Sequence, residues 1–139
     1  MLRMSKTVNL PGGTALPLIG FGTWQLRSKT AYESVRAALE IGYRHVDTAT
    51  LYQNESDVGR AVKDSGLDRE QVFVTTKLRP QDARHARRAL ESSLRLLGTG
   101  YVDLWLIHWP TGRDELVSTW QELVSAKDAG LVRNVGVSN

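Results

Sequence analysis

Gly42-Tyr43-Arg44-His45-Val46-Asp47-Thr48-Ala49-Thr50-Leu51-Tyr52 sets the pattern that the rest of the chain repeats. A short apolar strand closes on an Asp, and a Tyr follows in the loop behind it. The arrangement recurs downstream at roughly the thirty-residue length of one βαβ unit. Val72-Phe73-Val74-Thr75-Thr76 runs into Lys77, and Leu104-Trp105-Leu106-Ile107 runs into His108. Leu131-Val132-Arg133-Asn134-Val135-Gly136-Val137 then runs into Ser138-Asn139. Polar and ionisable groups therefore stand at the trailing ends of successive strands. In a (β/α) barrel those ends share one face, and that face carries the chemistry.

Between the strands the apolar spacing is helical rather than alternating. The first helix is expected to bury Ala31, Val35, Ala38 and Leu39, with Thr30 and Glu33 spaced as a capping box. The second offers Val58, Ala61 and Val62, and the third Ala86, Ala89, Leu90, Leu94 and Leu97. The fourth offers Leu116, Val117, Trp120, Leu123 and Val124. Gly42, Gly66, Gly98 and Gly130 follow these helices, placed to end them in the left-handed conformation. Strand, helix, glycine, strand is the order of a parallel sheet with right-handed crossovers. Spacing alone leaves a closed barrel and an open doubly wound sheet both possible. No strand runs into a G-x-G-x-x-G turn, and no Walker A loop occurs.

Ahead of this pattern, residues 7–18 read as a β-hairpin around Pro11-Gly12-Gly13-Thr14. Ile19-Gly20-Phe21-Gly22 is the expected first barrel strand, with glycines that permit close approach. The chain of 139 residues suffices for one domain with a real core. It is about half of an eight-stranded barrel of roughly 250 residues. The expectation is one partial barrel over residues 1–139: the hairpin, then five strands. Two unpaired edges near residues 19–22 and 132–137 invite self-association or pairing with a C-terminal half.

Lys and Arg number 18 against 15 Asp and Glu, a net charge of +3 that permits an anionic ligand without demanding nucleic acid. Arg84, Arg87, Arg88 and Arg95 fall in one predicted helix and read as a solvated face. No aromatic residues are interleaved with them as a stacking platform for bases requires. Cysteine is absent, which rules out disulfides and thiolate metal sites. The three histidines are dispersed, so no metal site is expected. No apolar run is long enough to cross a membrane, and no signal-peptide core precedes the first strand. A soluble, cytoplasmic protein is the expectation.

Asp47, Tyr52, Lys77 and His108 carry the chemistry. A free phenol titrates at about pH 10, too high for efficient proton transfer near neutrality. A lysine ammonium within about 4–6 Å favours the phenolate. That ammonium needs an anion in a partly buried site, and Asp47 supplies one. His108 is then free to hydrogen-bond a substrate oxygen or share the proton. Each residue also has a plainer use: an Asp–Lys pair as a structural tie, Tyr52 as a packing ring, His108 as a satisfied core histidine. Their joint placement at strand ends favours the chemical use.

Gly42 to Asp47, continued by Tyr52-Gln53-Asn54-Glu55 and Val58-Gly59-Arg60-Ala61, resembles the first signature of the aldo-keto reductases. Leu94-Arg95-Leu96-Leu97-Gly98, followed by Tyr101 through Pro110, resembles the second. Gly20-Phe21-Gly22-Thr23-Trp24 and Gly136-Val137-Ser138-Asn139 are similar to the family's first and fifth barrel strands. Bacterial members of the 2,5-diketo-D-gluconate reductase kind look nearest. The resemblance implies the N-terminal half of a (β/α)8 TIM barrel that uses NADPH to reduce small aldehydes or ketones to alcohols. It implies Tyr52 as general acid, Lys77 as its activating neighbour, Asp47 as the partner of Lys77, and His108 as the group orienting the carbonyl. Ser138 and Asn139 would hold the nicotinamide carboxamide, while Gly22, Thr23 and Asp47 line the cofactor. Trp24 and Trp109 would wall the substrate pocket.

The family's third signature, near the lysine that binds the adenosine 2′-phosphate, has no counterpart in this sequence. The chain is therefore expected to hold the proton-transfer apparatus with little of the dinucleotide grip, and to be inactive alone. Two other uses stay open: a non-catalytic binding or structural relative, and a fragment without function of its own.

Overall fold

A computed structural model describes residues 6–139 of the chain. It opens on the expected hairpin, in which β1 (Thr7–Asn9) and β2 (Ala15–Pro17) pair antiparallel. Gly12 and Gly13 make the turn at φ of 91° and 90°, values that residues with a Cβ rarely adopt. A five-stranded sheet follows: β3 (Phe21–Gly22), β4 (His45–Asp47), β5 (Phe73–Leu78), β6 (Val102–Ile107) and β7 (Val132–Val137). All neighbours pair parallel, and the order β3-β4-β5-β6-β7 follows the chain without reversal. A doubly wound sheet would reverse its order at a switch point. The sequential order instead describes one arc of a (β/α) barrel, which settles the choice left open by spacing.

Four helices cross between the strands: α1 (Ser28–Ile41), α2 (Glu55–Asp64), α3 (Ala86–Leu97) and α4 (Arg113–Asp128). Their apolar faces meet the sheet in one cluster that includes Val35, Val58, Leu90, Trp105, Leu123 and Val132. The helix ends follow the glycine expectation in detail. Tyr43 N–H reaches back to the Ala38 carbonyl at 2.9 Å, and Thr99 N–H to the Leu94 carbonyl at 3.1 Å, the six-to-one bond of the Schellman motif. After α2 a side chain takes over that task, with Ser65 Oγ accepting from Leu67 N–H at 3.2 Å.

Four expectations are corrected. The first barrel strand shrinks to Phe21–Gly22, because its partner β4 is itself only three residues long. Gly20 lies instead under the His45 ring, where a Cβ would stand 2.6 Å from Nδ1. The capping box at Thr30 does not form, because α1 starts earlier, at Ser28 after Arg27, and Glu33 pairs with Lys29 at 3.6 Å. Arg84 belongs to a 3₁₀ turn, Pro80–His85, ahead of α3. It pairs with Glu115 at 2.8 Å while Arg87 donates to Ser125 at 3.1 Å, so this face braces α4 rather than only meeting solvent.

The fourth correction concerns α4. Thr119, Leu123 and Ala126 are buried, and Leu116 is half-buried in line with them. Val117, Trp120 and Val124 lie round the helix and remain 56%, 38% and 39% exposed. Helical periodicity gave both rows the same apolar signal. Only one of them faces a neighbour within the described residues.

Candidate active site

Strand alternation gathers the site. Asp47 ends β4 and is in register with Thr75, two residues before Lys77 on β5. Lys77 is in register with Leu106, two residues before His108. Since side chains alternate at a period of two, Asp47, Lys77 and His108 emerge on one face. Tyr52 joins them from a 3₁₀ turn, Thr50–Tyr52, that follows β4 closely.

Lys77 is the hub. Its Nζ donates to Asp47 Oδ1 at 2.5 Å and to the Thr48 carbonyl at 3.0 Å, and it reaches the Tyr52 hydroxyl oxygen at 3.5 Å. An ammonium has three N–H donors and no acceptor, so these three oxygens use its whole capacity. The Tyr52 ring meets the His108 ring edge-on, with centroids 5.8 Å apart, and His108 stacks on Trp109 at 6.2 Å. The phenol oxygen thus stands between a buried cation and an imidazole.

His108 is buried, and burial is the main force holding its pKa below the ordinary 6.5. The Lys77 ammonium adds to that depression, and the Asp47 carboxylate opposes it. The imidazole is accordingly neutral at pH 7, able to offer one N–H and one lone pair. Its Nδ1 is buried without a partner among the described residues. The backbone around it is fixed, since His108 N–H donates to the Leu78 carbonyl at 3.0 Å.

The remaining expected residues border this cluster to different degrees. Gly22 is in register with Asp47, and a Cβ built on it meets nothing within 4 Å, so its side of the sheet is open to a ligand. Thr23 is fully buried, and both its N–H and its hydroxyl donate to the Asp47 carbonyl at 3.0 Å. Its side chain therefore holds β4 in place. Ser138 N–H donates to the Ile107 carbonyl at 2.9 Å. The Asn139 amide nitrogen donates to the His108 carbonyl at 2.9 Å and to Ser138 Oγ at 3.0 Å, leaving Asn139 Oδ1 as an available acceptor. Trp24 and Trp109 are the exposed aromatics, at 67% and 48%.

Sequence reasoning missed two members. The Thr48 carbonyl is a full partner of Lys77, but a backbone oxygen leaves no mark in a sequence. Asn54, fully buried, was read only as part of a motif. The roomiest cavity, about 500 Å³ between α2 and α3, is lined by Val74 and Tyr101 at the opposite ends of the strands and is separate from this cluster.

Fold and site define an arc of a (β/α) barrel whose carboxyl-end rim carries an Asp–Lys–Tyr–His cluster. The chain belongs to the aldo/keto reductase family, whose pattern matches residues 18–139. It is 44% identical over 139 residues to the methylglyoxal reductase DkgA of Yersinia pestis, covering 99% of this chain and 50% of that one. The crystal structure of an aldo/keto reductase from Brucella melitensis superposes with a TM-score of 0.93 at 44% identity, covering 96% of this chain and 54% of that one. The Bombyx mori aldo-keto reductase solved in complex with NADP gives a TM-score of 0.88 at 34% identity, over 99% of this chain and 51% of the other. The chain thus spans about half the length of the relatives it matches.

Proposed function

We propose that this chain supplies the proton-transfer half of an NADPH-dependent carbonyl reductase that converts aldehydes or ketones to alcohols. The observation that carries the reading is Lys77, whose ammonium touches Asp47 at 2.5 Å and stands 3.5 Å from the Tyr52 oxygen. Relatives described as a methylglyoxal reductase and as an NADP complex support it.

Tyr52 donates its proton to the carbonyl oxygen of the substrate. Lys77 stabilises the negative charge left on the phenol oxygen, and Asp47 with the Thr48 carbonyl keeps that ammonium in place. Neutral His108 hydrogen-bonds the same substrate oxygen and fixes which way the carbonyl points. Bound NADPH supplies hydride to the carbonyl carbon, so that one hydride and one proton convert C=O to CH–OH. Asn139 Oδ1 and the Ser138 hydroxyl fit a carboxamide, one accepting and the other donating or accepting. Gly22 and Asp47 line the open side beside them, Thr23 supports Asp47 from behind, and Trp24 and Trp109 wall the substrate.

Turnover requires the strands that complete the barrel. The edges of β3 and β7 and the exposed row on α4 are where a C-terminal half, or a second copy, would attach. Among the described residues no helix is long and apolar enough to cross a membrane. A cytoplasmic setting with access to NADPH is part of the proposal.

The test follows NADPH absorbance with methylglyoxal, using the chain alone and then mixed with a polypeptide bearing the remaining strands. Little turnover is expected alone and clear turnover in the mixture. Turnover that survives Tyr52→Phe sinks the assignment of the proton donor. NADPH binding without turnover turns the protein into a binding relative.

A further inference from the structure

Asn54 stands at the N-cap of α2, where an Asn side chain ordinarily accepts a hydrogen bond from the second or third helical N–H. Here it makes no such bond. Its amide turns back into the protein instead. Oδ1 accepts from the Thr48 hydroxyl at 2.6 Å, while Nδ2 donates to the Thr23 carbonyl at 2.8 Å and to the Leu26 carbonyl at 2.9 Å. The residue is fully buried, and both amide hydrogens are used. A helix cap has been given up for three contacts elsewhere, and local rules broken in this way tend to mark functional positions.

The three partners share one property: each lies in a loop that carries a group of the site. Thr48 offers Lys77 its carbonyl and begins the segment that leads to Tyr52. Thr23 and Leu26 bracket Trp24, and Thr23 also holds the Asp47 carbonyl. Both loops contain a non-glycine residue in the left-handed region, Gln25 at φ 64° and Gln53 at φ 55°. Such conformations persist only where the surroundings hold them. The Asn54 amide is the side chain that touches both loops. On the second side, Thr76 donates to Glu55 at 2.7 Å, so the start of α2 is also tied to the strand that bears Lys77.

We infer that Asn54 is a positioning residue for the reductase reaction, locking the Tyr52 loop to the Trp24 loop so that the phenol stays at its distance from Lys77. The inference rests on the function proposed above. Its test uses the chain assembled with the remaining strands, in Asn54→Ala and in Thr48→Val. The second variant removes one hydroxyl from an otherwise isosteric side chain and serves where Asn54→Ala fails to fold.

Two readouts are needed. Amide hydrogen exchange should quicken by about tenfold or more across residues 23–26 and 50–53 while β5 and β6 keep their protection. Displacing a catalytic group by about 1 Å costs on the order of a hundredfold, so kcat should fall by roughly that factor in Asn54→Ala. KM for NADPH should stay within about twofold, since the interaction lost acts in the transition state. Exchange that quickens equally in β5 and β6, or not at all, overturns the inference, as does a change confined to KM. An unsubstituted assembly without turnover removes the functional reading, and the exchange data then decide the coupling of the two loops separately.

Discussion

Lys77 and Asp47 meet at 2.5 Å across neighbouring strands, yet they sit at different depths, with the amine side chain 8% and the carboxylate 32% exposed. The ammonium is the buried member. Water cannot replace a lost partner for it, whereas the carboxylate keeps one side toward the rim. The asymmetry predicts that the two halves of the pair are not equally dispensable to the fold.

Asp47→Asn leaves a buried cation facing neutral oxygens and should cost about 3 kcal/mol, the low end for breaking a buried ion pair. Lys77→Met keeps the length of the side chain and leaves a carboxylate that can turn to solvent, so it should cost less. Urea denaturation of both variants checks the order. A Lys77→Met variant less stable than Asp47→Asn would show that the carboxylate, not the amine, is the strained partner.

Tyr52→Phe separates chemistry from packing. The ring that meets His108 at 5.8 Å is retained, and only the oxygen near Lys77 is lost. Stability should move by about 0.5 kcal/mol or less, while turnover in the completed barrel falls about 10²- to 10⁴-fold, the usual worth of a general acid. A thermal melt and an NADPH assay on one preparation provide both numbers.

What the sequence disclosed follows from which forces leave a periodic trace. Strand ends at Asp47, Lys77 and His108 were legible because apolar runs stop there, and Gly42 and Gly98 because helix ends need the left-handed conformation. The alternation of side chains then brought the named residues to one face. Three features had no such trace. The Thr48 carbonyl is backbone. The Asn54 side chain could have capped its own helix, and nothing local says that it does not. The exposed row on α4 has the same spacing as the buried one, because periodicity records an apolar face and not whether anything lies against it.

Acid should weaken the fold before it reaches the carboxylates. His45 and His108 are both held below the usual 6.5, chiefly by burial, with the Asp47 carboxylate opposing the shift in each. In the unfolded chain they titrate at about 6.5, so below that pH the unfolded state binds more protons. Stability is therefore full above about pH 6.5 and declines as pH falls through the lower folded values. Glu55 runs the other way. Burial raises its pKa above 4.5 against hydrogen bonds from Thr76 and Ser93, so its contribution is full below about 4.5 and is lost as pH rises through the folded value. Melting temperature should drop between pH 7 and 5.5, less steeply in His45→Gln. Glu55→Gln should raise it at pH 7 to 8. A melting temperature that rises on acidification to pH 5.5 contradicts the sign for the histidines.

Gly59→Ala tests how closely α2 and α3 cross. A Cβ at this position would stand 2.3 Å from the Leu97 carbonyl oxygen, a backbone atom that cannot swing aside. Alanine is the better helix former by about 1 kcal/mol, so propensity alone predicts stabilisation. Overpacking of a close contact costs about 1–3 kcal/mol and should win, giving a lower urea midpoint. A midpoint that rises means that the helices part easily, and that the gap between them is not set by this glycine.

The row Val117, Trp120 and Val124 on α4 predicts where the missing strands attach. Its members stand at i, i+3 and i+7, on one side of the helix that packs beside β7. Aromatic anchors of this kind dominate interfaces, with losses of about 2 kcal/mol or more on truncation, roughly thirtyfold in a dissociation constant. Trp120→Glu should therefore leave the chain's own stability within about 0.5 kcal/mol, since the ring is already part-exposed. It should weaken complementation by the remaining strands, and any self-association of the chain, by about thirtyfold or more. Sedimentation and titration of the complementing polypeptide measure both. Complementation unchanged by Trp120→Glu moves the attachment to the strand edges alone, and a monodisperse monomer at micromolar concentration removes the self-association.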